Sequence, residues 1–178
     1  MGSEQSIACS IRLNSSLTDE QKARFQNDET IRRILARRGT IAVVGLSADP
    51  QKASHFVASY FLERGWRIVP VTPRAGTILG VPTVPDLLSI KEPVDVVDIF
   101  RPPEEIPGIV EQAIKIGAKA VWMQLRLIDI PAAEKALEAG LDVVVDRCIK
   151  MEHGRYGGGL HSAGMNTEII SAQRRSFK

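Results

Sequence analysis

The feature that most constrains the fold is a series of short, largely apolar runs that alternate with segments of helical spacing. The runs cover residues 41–46, 67–71, 94–100, 120–124 and 142–146. Strands of a parallel sheet are buried on both faces and read as continuous apolar runs, and helices usually form their crossovers. The pattern therefore predicts an open parallel sheet flanked by helices. Proline is poorly tolerated in a central strand, so Pro70 indicates that the second strand either lies near a sheet edge or ends early.

The helical segments carry recognisable start and stop signals. Glycines follow four of them, at Gly39, Gly65, Gly117 and Gly140. Glycine commonly ends a helix because it adopts the left-handed conformation without strain. Thr18 followed by Gln21 is the pattern of a helix cap, and a second cap at Asn27 or Asp28 divides the N-terminal segment into two helices. Between the second and third strands, 72–85 is predicted as a loop because it is rich in Pro and Gly, and a short helical turn follows from Asp86.

The composition fits one domain. The chain has 178 residues, of which 44% are hydrophobic and 25% charged, enough to bury a proper core. We predict an α/β fold, a Rossmann-like open parallel sheet flanked by helices, in a single domain with an N-terminal helical extension. The extension is placed at 1–39, the sheet domain at 40–152 and a Gly-rich C-terminal tail at 153–178.

Charge and cysteine content argue against several kinds of partner. The formal net charge is +2, so neither nucleic acid nor a membrane is expected as a partner. The first residues lack a signal-peptide pattern and the apolar runs are of strand length, so a cytoplasmic location is expected. Cys9 and Cys148 show no metal-ligand spacing, and neither a zinc site nor a disulfide framework is expected.

The loop after the first strand, 45–50, has the features of a phosphate-binding turn. Ligands of open parallel sheets bind beyond the carboxyl ends of the strands. Gly45 lets backbone and ligand approach closely, and the amides of the following helix N-terminus face a phosphate. Ser47 and Ser54 offer hydroxyls, and Lys52 offers a countercharge. A plain strand-to-helix turn with a capping side chain stays open as the alternative.

Two features separate this chain from typical NAD-binding domains. The fingerprint G-x-G-x-x-G is missing after the first strand, and no acid follows the second strand to bind the ribose hydroxyls. Arg74 lies there instead. It suits an additional phosphate, as in NADP or in the 3′-phosphorylated ribose of coenzyme A (CoA), or it is a solvated surface arginine. An NADP-linked oxidoreductase is therefore kept as a rival function.

Further candidates follow the later strands. Phe100 either flanks an adenine or an acyl arm or packs in the core, and Arg101 either pairs with a phosphate or orients its loop. Gln124 either bonds a ligand amide or satisfies a neighbouring backbone group. Cys148 is either a buried structural thiol or a thiol close to a cofactor thiol, which would support a CoA-dependent redox or thioesterase activity if its pKa were lowered.

No catalytic set is evident. His55 falls on the first crossover helix, and His153 and His161 fall in the Gly-rich tail. Asp95 and Asp98 are three apart in one strand and so point to opposite faces. Neither a G-x-S-x-G elbow nor an H-E-x-x-H helix occurs. The sequence thus favours a binding module over an enzyme.

Four segments in order carry a family resemblance: IAVVGLSADPQKASHFVASYFLERGWRIVPVTP, VDVVDIFRPPEEIP, IGAKAVWMQL and AGLDVVVDRCIKMEH. From about Thr40 to Glu152 the chain resembles the stand-alone CoA-binding proteins, which are similar to the N-terminal CoA-binding domain of the succinyl-CoA synthetase α subunit. The resemblance implies a Rossmann-like domain that holds CoA or an acyl-CoA. Ligase activity is not expected, because too little sequence follows the last strand for the synthetase's second domain. A second copy or another protein as partner stays open.

The resemblance also implies which residues contact CoA. The first loop and its helix would hold the pyrophosphate, the next two loops the adenosine part, and the loop after the fourth strand the pantetheine side. The residues carried over are Gly45, Leu46, Ser47, Lys52, Ser54, Thr72, Pro73, Arg74, Phe100, Arg101, Pro102 and Gln124. Thr72 replaces the family's usual Asn, and Arg126 its usual Gly. The bulk of Arg126 is expected to narrow the thiol end of the site.

Overall fold

Five parallel strands form the central sheet of the computed structural model, which describes residues 17–74 and 76–157. The strands along this part of the chain are β1 (Thr40–Val44), β2 (Arg67–Val71), β3 (Thr77–Ile78), β4 (Val81–Pro82), β5 (Val96–Ile99), β6 (Ala120–Met123) and β7 (Asp142–Val144). The sheet order is β2-β1-β5-β6-β7, and β3 and β4 form a small antiparallel hairpin. The order reverses between β1 and β5, which is where open α/β sheets form a ligand crevice.

Six helices of the described chain cover the two faces of the sheet. They are α1 (Asp19–Phe25), α2 (Asp28–Ala36), α3 (Ala53–Glu63), α4 (Ile106–Lys115), α5 (Ile130–Glu138) and α6 (Ile149–Gly157). Helices α4 and α5 pack together on one face, and α2, α3 and α6 meet on the other. Among these helices, none combines the length and the apolarity that a membrane span requires.

The strands bury side chains on both faces, as their apolar sequences require. Val97 and Val121 pack towards α4 and α5, whereas Val96 and Trp122 pack towards α3 and α6. Trp122 is fully buried, and its indole Nε1 donates to the carbonyl oxygen of Arg147 at 2.6 Å. This hydrogen bond holds the segment after β7 against the face of the sheet that α3 and α6 cover.

The N-terminal extension packs on its own domain. Gln26 Nε2 donates to the carbonyl oxygen of Val145 at 3.1 Å, and the Val145 amide donates to the Phe25 carbonyl at 3.2 Å. The guanidinium of Arg37 contacts the Asp142 carboxylate at 2.6 Å. Helices α1 and α2 thereby pack next to β7, the strand at one edge of the sheet.

Several local predictions are confirmed. The Thr18 hydroxyl and the Gln21 side chain form a reciprocal capping box, and Asn27 caps a separate second helix. Strand β2 lies at a sheet edge, as Pro70 predicts. The short turn after Asp86 is a 3-10 helix, Leu87–Ser89, capped by the Asp86 carboxylate.

The structure differs from the prediction in three places. The stretch 72–85 is not simply loop, because it contains the β3–β4 hairpin and pairs Val84 with the edge strand. Helix α6 continues to Gly157, past the predicted start of the tail at 153. Helix α2 ends at Ala36 rather than at Gly39. Cys9, His161 and the first sixteen residues lie outside the described residues.

Gly39 is required for a close contact rather than for ending a helix. A Cβ at this position would lie within bonding distance of Asp95 Oδ2 and 2.5 Å from Asp95 Cγ. That carboxylate is fixed, because Oδ2 accepts the Thr40 backbone amide at 2.8 Å where β1 begins. The absence of a side chain at Gly39 lets Asp95 anchor the first strand.

We predict that Gly39→Ala lowers the free energy of unfolding by about 2 kcal/mol, the usual cost of forcing an extra carbon into a packed site. Gly108→Ala in α4 is the matched control, because nothing lies within 4 Å of its Cβ position. The control should be neutral or stabilising by up to about 1 kcal/mol. Urea unfolding followed by circular dichroism measures both, and equal effects would contradict the role of Asp95.

Candidate functional site

A cleft of about 640 Å³ opens at the carboxyl ends of β1, β2 and β5. It is lined by Gly45, Leu46, Ser47, Ala48, Asp49, Thr72, Pro73, Arg74, Gly76, Thr77, Ile78, Thr83 and Arg101. A smaller pocket of about 220 Å³ shares Gly45, Thr72, Pro73 and Arg101 with it and extends towards α4. The volume of the larger cleft, about 640 Å³, lies in the usual range of small-molecule sites. The position of this cleft matches the reversal of strand order between β1 and β5.

Gly45 makes the cleft possible, because only glycine fits where β1 ends. Its φ of +89° lies in the left-handed region. A Cβ there would lie 2.7 Å from Arg101 Cδ and 2.9 Å from the Phe100 carbonyl oxygen. The loops after β1 and β5 therefore touch through bare backbone. Since no side chain stands at this point, a ligand can approach the main chain directly.

Side-chain hydroxyls brace the loop that follows. The Ser47 amide donates to Ser54 Oγ at 3.1 Å, and the Asp49 amide donates to Ser47 Oγ at 3.1 Å. The Gln51 amide donates in turn to Asp49 Oδ1 at 2.9 Å. Ser54 is only 5% exposed. In the structure, Ser54 holds the shape of the loop and is not part of the cleft lining.

The N-terminus of α3 faces this loop without a side-chain cap. Lys52 occupies the cap position and makes no capping hydrogen bond, and its side chain is exposed. The amides of a helix's first turn have no partner within the helix, and the helix dipole adds partial positive charge there. An anion at this end of α3 would thus meet backbone donors and the Lys52 ammonium together.

Arg101 is the cationic side chain that reaches both pockets. Its Nε and Nη2 donate to the two carboxylate oxygens of Glu105 at 2.8 and 2.6 Å. The guanidinium holds the pKa of Glu105 below its usual range. Glu105 orients Arg101 and shares its charge, whereas Arg74 stands exposed at the rim of the larger pocket.

Gln124 and Asp98 form a buried pair at the ends of β6 and β5. Gln124 Nε2 donates to Asp98 Oδ1 at 2.7 Å. Asp98 is fully buried, and its Oδ2 has no partner within the described part of the chain. Burial raises the pKa of Asp98 to about 7, against a smaller opposing effect of the Gln124 hydrogen bond. Asp98 was missed as a site residue, although an acid inside an apolar strand was a visible signal.

Cys148 precedes α6 and is held as a thiol. Burial raises the pKa of Cys148, and the charge of Asp98 acts in the same direction. The backbone amides of Lys150 and Met151 at the start of α6 oppose the shift without reversing it. A reactive cysteine needs a lowered pKa, and the surroundings of Cys148 produce the opposite.

The predicted binding residues divide into two groups. The cleft collects Gly45, Leu46, Ser47, Thr72, Pro73, Arg74 and Arg101. Lys52, Ser54, Phe100, Pro102 and Gln124 do not line it. Phe100 is half-buried against the core under α3 and α6, which is the packing alternative considered for it.

That Arg126 narrows the thiol end of the site stays a prediction. Its side chain is exposed, and its residue does not line either pocket at the β1–β5 edge. Its φ of +67° is in the left-handed region that favours glycine, and its amide donates to Asp146 Oδ1 at 2.6 Å. Glycine adopts this backbone conformation without strain.

His55 and His153 do not line the cleft, although His55 is the third residue of α3. His153 is buried among Tyr60, Phe61 and Trp66, and Tyr60 Oη lies 3.0 Å from its Nδ1. Burial lowers the pKa of His153. Within residues 17–74 and 76–157, no group of three His, Cys, Asp or Glu side chains is placed to hold a metal ion.

Comparison with known proteins identifies the family to which the chain is similar. Residues 39–154 match the family model described as CoA binding domain. A curated relative is a Bacillus subtilis (strain 168) protein described as uncharacterized protein YneT. It is 39% identical over 123 residues, which are 69% of this chain and 91% of the relative.

Solved structures share the fold at similar identity. A hypothetical protein from Pyrococcus horikoshii OT3 has 44% identity and a TM-score of 0.69, and the match covers 72% of this chain and 90% of that one. A Thermus thermophilus protein, cell-free ID.343, has 39% identity and a TM-score of 0.68 over 72% of this chain and 98% of its own.

The buried Asp98 predicts a pH-dependent stability. Its pKa rises from 3.8 to about 7 on folding, so between these values the folded protein binds a proton that the unfolded chain has released. This group therefore makes the free energy of unfolding fall as pH rises from about 4 to 7. Asp98→Asn removes this titration. The free energy of unfolding of the variant minus that of the natural chain should therefore be roughly 2 kcal/mol larger at pH 8 than at pH 5. Guanidinium unfolding at both pH values measures this, and an equal difference at both would contradict it.

Proposed function

The chain belongs to the CoA-binding domain family, and we propose that its β1–β5 cleft binds coenzyme A, or an acyl ester of it, as a non-catalytic holder or regulator. The observation that carries the proposal is the extent of the family match. Residues 39–154 begin one residue before β1 and run into α6, so they include the loops after β1, β2, β5 and β6. The matched segment is thus the part of the chain that builds the carboxyl edge of the sheet.

The loop after β1 suits the pyrophosphate of CoA. A diphosphate needs closely spaced donors, and Gly45 presents its backbone without a side chain in the way. The uncapped amides of α3 and the exposed Lys52 add positive charge beside it. We assign the pyrophosphate to Gly45, Leu46 and Ser47, with Lys52 as countercharge and Ser54 as the brace of the loop.

The loops after β2 and β5 suit the phosphorylated adenosine part. Thr72, Pro73 and Arg74 line the larger pocket from one side, and Arg101 lines it from the other. Arg74 is exposed at the rim, where a guanidinium can pair with the 3′-phosphate. Phe100 packs in part against the core under α3 and α6, and Pro102 precedes the 3-10 helix Pro103–Glu105.

The described side chains support a holder rather than an enzyme. The thiol of Cys148 has a raised pKa, and His153 is engaged with Tyr60 inside an aromatic cluster. Neither arrangement offers a nucleophile with an adjacent base, which acyl transfer requires. The rival NADP-linked function lacks the glycine fingerprint that a dinucleotide pyrophosphate uses.

Isothermal titration calorimetry distinguishes the two ligands. We expect CoA to bind the purified protein with measurable heat, because the cleft combines backbone donors with three nearby cations, Lys52, Arg74 and Arg101. NADPH should give no comparable heat. The absence of heat with CoA up to millimolar concentration, or tighter binding of NADPH than of CoA, would overturn the proposal.

Replacing the countercharge tests the assignment of the pyrophosphate. Lys52→Ala should weaken CoA binding about fivefold to tenfold, the typical loss of one partly solvated charge-assisted contact. Lys119→Ala is the matched control, because Lys119 is an equally exposed lysine at the opposite end of the sheet, before β6. An equal loss in both variants would indicate only a general charge effect, and no loss in Lys52→Ala would place the pyrophosphate elsewhere.

A further inference from the structure

Asp98 uses only one of its two carboxylate oxygens. Oδ1 accepts Gln124 Nε2 at 2.7 Å, and Oδ2 is sealed from solvent without a partner among the residues described. Asp98 lies on β5 and is paired in register with Trp122 of β6, in the interior of the sheet. Burying an unpaired acceptor is costly, so this pair calls for a role other than stability.

The pair fixes the orientation of the Gln124 amide. The ionised carboxylate can only accept, so above the pKa of Asp98, about 7, Gln124 must turn its NH₂ group towards Asp98. The carbonyl oxygen of Gln124 then faces away from Asp98. Within residues 17–74 and 76–157 this Oε1 accepts no hydrogen bond, and it is not one of the sealed atoms that lack a partner. Gln124 keeps 6% exposure, so its free acceptor is open to a donor from outside the protein.

The position of Gln124 matches the far end of the proposed ligand. Strand β6 is two places from β1 in the sheet, about 10 Å at the usual strand spacing. A CoA molecule with its pyrophosphate at Gly45 and its adenosine towards β2 has its remaining arm free to extend in the direction of β6. That arm, pantetheine, carries two secondary amides, each with an N–H donor.

We propose that Asp98 is a positioning residue that locks Gln124 so that its carbonyl oxygen accepts a hydrogen bond from a pantetheine amide. This inference rests on the proposed CoA binding. Asp98 does not contact the ligand. It prevents the side-chain amide of Gln124 from flipping to the orientation in which the NH₂ group would face the N–H of the ligand. The Asp98–Gln124 pair therefore favours ligands with an amide N–H donor over ligands that lack the pantetheine arm.

The test compares CoA with adenosine 3′,5′-bisphosphate, which carries the phosphorylated nucleoside without the pantetheine arm. Asp98→Leu keeps the branched shape of the side chain but removes the acceptor. It should weaken CoA binding about fivefold to tenfold and leave binding of the bisphosphate within about twofold. Gln124→Met should show the same selective loss. In the double variant, CoA affinity should be no lower than in Gln124→Met, because Asp98 acts only through Gln124.

Asp98→Asn provides the conservative rescue, because the Asn carbonyl oxygen can still accept Gln124 Nε2. It should retain CoA affinity within about twofold. Equal loss of both ligands in Asp98→Leu and Gln124→Met, or additive losses in the double variant, would overturn the inference and indicate a structural role. If Asp98→Leu does not fold, the test rests on Gln124→Met. Unchanged CoA affinity in Gln124→Met would contradict the contact with the pantetheine amide. A natural chain that binds neither ligand would instead disprove the proposed CoA binding itself.

Discussion

The close approach of two loops at the reversal of strand order is the constraint on which the site depends. Strands β1 and β5 are hydrogen-bonded neighbours, and the chains that leave them diverge to opposite faces of the sheet. At Gly45 the two loops meet closely, because a Cβ there would lie only 2.9 Å from the Phe100 carbonyl oxygen. A larger residue would push the loops apart. The close contact beside the cleft therefore exists because Gly45, directly after β1, has no side chain.

The residues around that contact have separate tasks. Ser47 and Ser54 hold the loop through hydrogen bonds with its amides, and Glu105 holds Arg101 at the mouth of both pockets. The groups that remain available to bind an anion are the first-turn amides of α3 and the exposed cationic side chains at the rim of the cleft. Such a division suits a polyanionic ligand, because the shape is fixed before binding and less conformational entropy is lost on association.

The sequence predicted features that depend on local chemistry. Continuous apolar runs predicted the parallel strands, Pro70 predicted the edge position of β2, and Thr18 with Gln21 predicted the capping box. The glycine after β1 and the helix start that follows it marked the edge of the sheet at which the cleft lies. Each of these signals is read over a few residues, where steric and hydrogen-bonding rules act directly.

Features that depend on distant partners could not be predicted in the same way. Asp98 and Gln124 are separated by 26 positions, and only the register of β5 with β6 brings their side chains together. Gly39 looked like a helix stop because the contact that requires it comes from Asp95, which is distant in sequence and directly precedes β5. Ser54 looked like a ligand contact because its partner, the Ser47 amide, is defined only once the loop is folded.

The central claim is that the phosphates of CoA lie where the β1 loop meets the start of α3. Backbone amide NMR of the labelled protein during a titration with CoA tests it most directly. The account predicts the largest shift changes at Gly45–Ser47 and at the first turn of α3, with smaller changes around Arg74. The groove of about 470 Å³ on the outer side of β2, lined by Leu62, Val69 and Val84, should be unaffected. Changes centred on that groove, with the Gly45 loop unperturbed, would contradict the account.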